Sequence, residues 1–269
     1  MESPEQYREA AREAGVPEHA IDLALGLARP QIELTSSAED GGVLVGQYGG
    51  LPSLPPDAVW GSYPHFVASV DCAALPRGFL DIPLPEDGHL LFFANKHDAD
   101  GGGEPDTRNY VVHVPAGTAT VERAPEAVFG DDEEFEDEEE AAYWTAPHTD
   151  PRPLYARPIR SLPADDDDAL HDPEVRRVYR KYGLDHHDKR KLVWEVDLLL
   201  GGYAYSPQDP PIMQSPEERV EEEWVLLAQA QYAMHADPDC QGCPFWIIRR
   251  SDLEKGDFAG ARVAMWNYY

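Results

Sequence analysis

The chain has 269 residues, of which 42 % are hydrophobic, and its formal net charge at pH 7 is −29. This length can bury a sizeable core in one large domain or two small ones. The 51 Asp and Glu against 22 Lys and Arg argue against nucleic acids and anionic membranes as partners, because both repel an acidic surface. The surplus favours a basic protein partner, or it serves solubility alone.

The N-terminal sequence MESPEQYREAAREAG has neither the basic start nor the apolar stretch of a signal peptide. No apolar run approaches the ~20 residues needed to cross a bilayer. We therefore predict a cytoplasmic protein. Three cysteines are too few for a disulfide framework, and Cys72, alone in an apolar segment, is predicted to lie in the core.

Residues 1–30 are predicted to form an N-terminal helical segment. Ser3 is a good N-cap, Gly15 ends the first helix, and Pro30 follows a second helix with an apolar face. Short strands are then predicted at Gln31–Leu34 and Val43–Val45.

The segment Gly46–Trp60, GQYGGLPSLPPDAVW, is the turn-rich opening around which the chain is organised. Its glycine pair permits backbone angles that side chains forbid, and its prolines restrict the chain between them. The apolar runs that follow predict strands at His65–Cys72, His89–Asn95, Tyr110–Pro115 and Thr118–Arg123.

Two acidic runs, at 131–140 and 165–168, are predicted to be exposed parts of a partly disordered insertion. A helix then begins at Pro173 and ends at Gly183, and its basic residues could fold back onto the acidic runs.

The second part of the chain repeats the pattern of the first. The segment Leu198–Gly202 resembles the first opening, Trp224–Tyr232 corresponds to the strand at 65–72, and Pro244–Arg249 corresponds to the strand at 89–95. A final strand is predicted at Arg262–Trp266. We therefore predict an α+β fold, mainly antiparallel β-sheet, with flanking helices and an internal pseudo-duplication. Its two related halves, about 31–125 and 190–269, form one domain over 31–269.

These features resemble the YwqG-like family, a bacterial domain family of unknown function. The resemblance is carried by GGLPSLP with Trp60, by HFVASVD and DGHLLFF, by LLGGY at 199–203, and by WVLLAQ with PFWIIRRSDLEKGDF, over about residues 30–269. It implies an α+β fold with internal duplication and no transferable catalytic residues. It also implies a role like that of a toxin-immunity protein. The prolines of the second opening and the Cys-x-x-Cys before the last strands depart from the family pattern.

The remaining site hypothesis is a groove between the two halves, rimmed by the two openings and lined by aromatic side chains. Its predicted residues are Gly49, Gly50, Pro52, Trp60, Gly201, Gly202, Tyr203 and Tyr205. In the alternative, Trp60 fills the core beside its own turn.

Cys240 and Cys243 are spaced as a Cys-x-x-Cys pair, and His235 lies close upstream. Thiolates and imidazole at this spacing can hold zinc, although a fourth ligand, such as His186, has to come from elsewhere. The alternatives are a reversible disulfide or two ordinary turn cysteines, and no other cofactor is predicted.

No hydrolase elbow, zinc-protease motif or phosphate-binding loop is present. We therefore expect a non-enzymatic protein-binding module with an acidic surface. The alternative is an enzyme or small-ligand protein that uses the groove. The sequence does not indicate the oligomeric state.

Overall fold

The computed structural model describes residues 3–38, 42–58, 65–94, 110–123, 150–164, 167–187, 196–204, 223–230 and 241–268. Its helices are α1 (Pro4–Glu13), α2 (Glu18–Leu27), α3 (Pro173–Tyr182) and α4 (Arg250–Lys255). Its strands are β1 (Arg29–Thr35), β2 (Val43–Tyr48), β3 (Ser53–Leu54), β4 (His65–Asp71), β5 (His89–Ala94), β6 (Val111–Val114), β7 (Val121–Glu122), β8 (Arg152–Ser161), β9 (Leu198–Leu200), β10 (Trp224–Ala230), β11 (Gln241–Arg249) and β12 (Arg262–Tyr268).

Ten of these strands form one antiparallel sheet in the order β12-β11-β10-β9-β1-β8-β2-β4-β5-β6, while β3 and β7 form a separate ribbon. The sheet curls into a half-barrel, so that β5 of one side meets β11 of the other. The predicted α+β class with a mainly antiparallel sheet is confirmed. The strand order is also symmetric about the β1–β8 pair, but the internal duplication stays a prediction.

Strand β8 lies at the centre of the sheet, in the stretch between the two acidic runs where the sequence predicts no strand. Its two prolines explain why it was missed, because proline in a run of residues argues against a central strand. Each proline lies where β8 is flanked by one strand. Pro153 pairs with β2 alone, because the described pairing of β1 with β8 begins at Tyr155. Pro158 pairs with β1 alone, because the described pairing of β2 with β8 ends at Ala156. Both prolines can therefore be accommodated in the ladder.

The interior of the curled sheet contains the largest apolar cluster. Alternate residues of the strands point inward, and they include Ile32, Leu34, Val70, Leu154 and Trp246. The connection after β4 contributes Leu75 and Ile82, and the turn before β12 contributes Phe258 and Ala261. Cys72 belongs to the same cluster and is 4 % exposed, so its predicted core position is confirmed.

Helices α1, α2 and α3 pack together as a cap where β1 begins and β8 ends, whereas Leu253 of α4 packs against the interior of the sheet. Ser3 accepts a hydrogen bond from the backbone of Gln6 and caps α1, as predicted. Two buried tyrosines join the cap to the loops around it: the Tyr7 hydroxyl donates to the Leu184 carbonyl and the Tyr179 hydroxyl to the Pro163 carbonyl, both at 2.7 Å. The predicted helix ending at Gly183 is confirmed as α3.

The outer face of the sheet carries two smaller apolar clusters. On the first side, Leu54 of the β3–β7 ribbon covers Phe66, Leu91 and Phe93. On the other side, Phe245 and Ile247 of β11 pack with Leu226, Cys243 and Ala264. None of the helices in the described residues is long and apolar enough to span a membrane.

Candidate functional site

The first glycine opening is held by contacts that only glycine permits. Gly49 and Gly50 have φ angles of 69° and 72°. The Gly49 N–H donates to the Val67 carbonyl at 2.8 Å, and the Gly49 carbonyl accepts from Gln47 Nε2 at 2.9 Å. A Cβ at Gly50 would lie 2.9 Å from Pro151 Cβ, which is closer than real Cβ contacts. The glycine pair therefore allows this turn to pack closely against the start of β8.

The second glycine opening repeats this arrangement. Gly201 and Gly202 have φ angles of 65° and 71°. The Gly201 N–H donates to the Leu227 carbonyl at 3.2 Å, and the Gly201 carbonyl accepts from Gln31 Nε2 at 2.9 Å. A Cβ at Gly202 would overlap Ser161 Oγ and lie 2.9 Å from Gln31 Cβ.

The carbonyls that receive the two glycine N–H groups lie at matching irregularities of the sheet. The β4–β5 register shifts between Phe66 and Ala68, and the β10–β11 register shifts between Leu226 and Ala228. In both cases the skipped residue, Val67 or Leu227, accepts the bond. The two openings thus share one local structure, while the duplication of the whole chain stays a prediction.

Each opening also carries an arginine that contacts a tyrosine ring and an aspartate. At the first opening, Arg152 Cζ lies 5.0 Å from the Tyr48 ring centroid and Arg152 Nη2 lies 3.0 Å from Asp197 Oδ1. The other Asp197 oxygen accepts the Ser36 N–H at 2.6 Å. The aspartate side chain is 12 % exposed, so this carboxylate is held at the sheet end by two bonds.

At the second opening the residues are Arg29, Tyr203 and Asp81. Arg29 Cζ lies 5.4 Å from the Tyr203 ring centroid, and Arg29 Nε donates to Asp81 Oδ2 at 2.8 Å. The Tyr203 hydroxyl donates to the Leu27 carbonyl at 2.9 Å, and the Tyr203 N–H donates to Ser161 Oγ. Arg29 and Arg152 are the first residues of β1 and β8, and each is followed by a proline.

The structure does not bring the two openings together at one groove. Gly50 contacts Pro151, just before β8, whereas Gly202 contacts Ser161, the last residue of β8. Ten residues of strand separate these contacts, which corresponds to roughly 30 Å along the strand. Gly49, Gly50 and Pro52 therefore belong to one end of the sheet, and Gly201, Gly202 and Tyr203 belong to the other.

The remaining predicted groove residues have other surroundings. Pro52 is buried, and its carbonyl accepts the Arg123 N–H at 3.1 Å, which ties the first opening to the β3–β7 ribbon. Trp60 and Tyr205 lie outside the described residues. The prediction about Trp60, as groove anchor or core plug, therefore stays open.

The seam between the two sides of the curled sheet is filled by apolar side chains in the described part of the chain. Trp246 of β11 is fully buried, and its ring centroid lies 5.2 Å from that of Phe92 on β5. Its Nε1–H donates to the Phe93 carbonyl at 2.7 Å. This packing gives no support to an internal ligand groove at the seam.

The predicted metal residues are only partly described. Cys243 lies on β11 and is 2 % exposed within the outer apolar cluster of Phe245 and Ile247. Cys240 and His235, and the side chain of His186, lie outside the described part. Within that part no three His, Cys, Asp or Glu side chains are grouped to hold a metal ion. The zinc and disulfide alternatives stay predictions.

The large pKa shifts that the described residues show come from burial of neutral groups. Burial raises the pKa of Tyr203 to about 12 and that of the Cys72 thiol to about 12. Burial also raises the pKa of Tyr48 and of Tyr179 well above the usual range. These groups stay protonated at neutral pH, and the Tyr203 and Tyr179 hydroxyls donate hydrogen bonds to backbone carbonyls. An activated nucleophile or base instead needs a pKa near the working pH.

The basic helix α3 bonds to its own surroundings. Arg177 forms an exposed ion pair with Glu174 at 2.7 Å, and Arg176 Nη2 donates to the backbone carbonyl of Asp167 at 3.4 Å. The predicted folding of this helix onto the acidic runs involves residues that lie largely outside the described part, so it stays a prediction.

Fold and local geometry define the class of protein. It is an α+β protein whose curled antiparallel sheet surrounds an apolar interior and carries two similar glycine openings. The model of a protein family matches residues 46–266, and the chain belongs to that family, which is described as a domain of unknown function (DUF1963). No curated protein matches the chain. The matched segment begins within β2, so it leaves out the central strand β1 and the helices α1 and α2.

Proposed function

We propose that this protein is a non-enzymatic cytoplasmic binding module whose acidic surface engages a basic protein. The observation that carries the proposal is the net charge of −29, with 51 acidic and 22 basic residues. The run DDEEFEDEEE at 131–140 alone contributes nine acidic residues and no basic one. Such a charge attracts a basic protein over several ångströms and repels nucleic acids.

The packing of the sheet supports binding at the surface over binding inside the fold. Trp246, Phe92 and the residues around them fill the seam with apolar side chains. The polar groups of the two openings bond to the chain itself, as in the bonds of Gln31 and Tyr203. A partner that binds the outside of the protein requires no change in this packing.

The resemblance to YwqG-like proteins adds a narrower proposal, in which the partner is a basic toxin that the protein neutralises. A bacterial immunity protein has to bind quickly, and complementary charge raises association rates more than it raises affinity. The acidic composition of the chain meets this requirement.

The experiment is a binding assay against basic proteins of the native cytoplasm, with elution by a salt gradient. Exposed charges are screened within about 10 Å at ~0.1 M salt, so a charge-driven partner should dissociate as salt rises. In a test variant, the acidic residues of 131–140 are changed to Asn or Gln. The control variant carries Glu5→Gln, Glu9→Gln and Glu13→Gln on the exposed face of α1.

Loss of the partner from the test variant and its retention by the control would support the proposal. Binding that is unchanged in the test variant and insensitive to salt would contradict a role for the acidic surface. For the narrower proposal, the captured partner is expressed in cells with and without this protein. The partner alone should be toxic, and co-expression of this protein should restore growth. A partner that is harmless to cells would rule out the immunity role.

A further inference from the structure

We draw no further inference here: the strongest candidate, the exposed carboxylates of Asp57, Glu122 and Asp150 beside the first glycine opening, is a cluster of acidic residues next to a segment outside the described part of the chain, and within that part nothing shows what binds to it.

Discussion

The indole Nε1 of Trp246 donates a buried hydrogen bond to the carbonyl of Phe93, at 2.7 Å, and thereby joins β11 to β5 across the curled sheet. The two residues are 153 positions apart in the chain. Because this bond satisfies a backbone group inside the apolar seam, it couples the two sides of the sheet directly.

Replacing this tryptophan should destabilise the whole domain. Trp246→Phe removes the donor and leaves the Phe93 carbonyl buried without it, which costs about 1–3 kcal/mol, and Trp246→Ala costs about 3–5 kcal/mol. The free energy of unfolding from urea titration measures both. Trp224→Phe is the matched control, since Trp224 is half-buried, and it should cost less than either. Equal losses at the two tryptophans would show that the seam has no special role.

Gly202→Ala should cost more than Gly15→Ala, although both glycines have a positive φ angle. Gly15, with φ of 78°, has open space where a Cβ would lie, so the change costs only the left-handed strain of about 1–2 kcal/mol. At Gly202 the new methyl group would also displace Ser161 Oγ and Gln31, which adds about 1–3 kcal/mol. Thermal unfolding of the two variants tests the difference, and equal effects would show that the second opening relaxes freely.

The Tyr203 hydroxyl predicts a specific loss of stability at alkaline pH. Burial raises its pKa to about 12 from an ordinary value of 10.0. A raised pKa means that the folded state keeps its proton longer than the unfolded state does. The stabilisation is therefore fully present below pH 10 and is lost as pH rises from about 10 to about 12. Tyr203→Phe should be less stable than wild type at pH 8, by about 1 kcal/mol for the lost bond to Leu27, and this difference should shrink by pH 12. A difference that is constant with pH would contradict the assignment.

The family-matched segment should not fold without the strand that precedes it. β1 lies between β8 and β9, pairing with both, and it falls outside residues 46–266. A chain that starts at residue 42 would leave β8 and β9 with unpaired inner edges and would remove the buried side chains of Ile32 and Leu34. We expect it to aggregate or to lack a cooperative unfolding transition. A chain that lacks only residues 1–15 is the control and should still unfold cooperatively; a stable, cooperative 42–269 protein would contradict this role of β1.

The strands that the sequence predicted correctly are those whose signals are local. His65–Asp71 and His89–Ala94 are apolar runs bounded by turn residues, and such a run has few structures open to it other than a buried strand. Likewise, Ser3 and Gly183 mark helix ends because they satisfy backbone groups of the adjacent turn.

Strand β8 had no such local signal. Pro153 and Pro158 argue against a central strand in any purely local interpretation, and they are tolerated because each lies where one neighbouring strand pairs. Whether one strand or two flank each proline depends on how β1 and β2 are staggered along β8. Stagger is a property of three strands together and cannot be read from one of them.

The glycine openings likewise combine a feature that the local sequence predicts with one that only long-range pairing decides. By itself the sequence determined that Gly49–Gly50 and Gly201–Gly202 are sharp turns after apolar strands, since glycine is the residue that adopts positive φ at no steric cost. Only the tertiary structure decided that the two turns lie at opposite ends of the sheet. They do so because β8 runs from Pro151, beside Gly50, to Ser161, beside Gly202, and the direction of a strand between distant segments is set by long-range pairing that no local sequence pattern encodes.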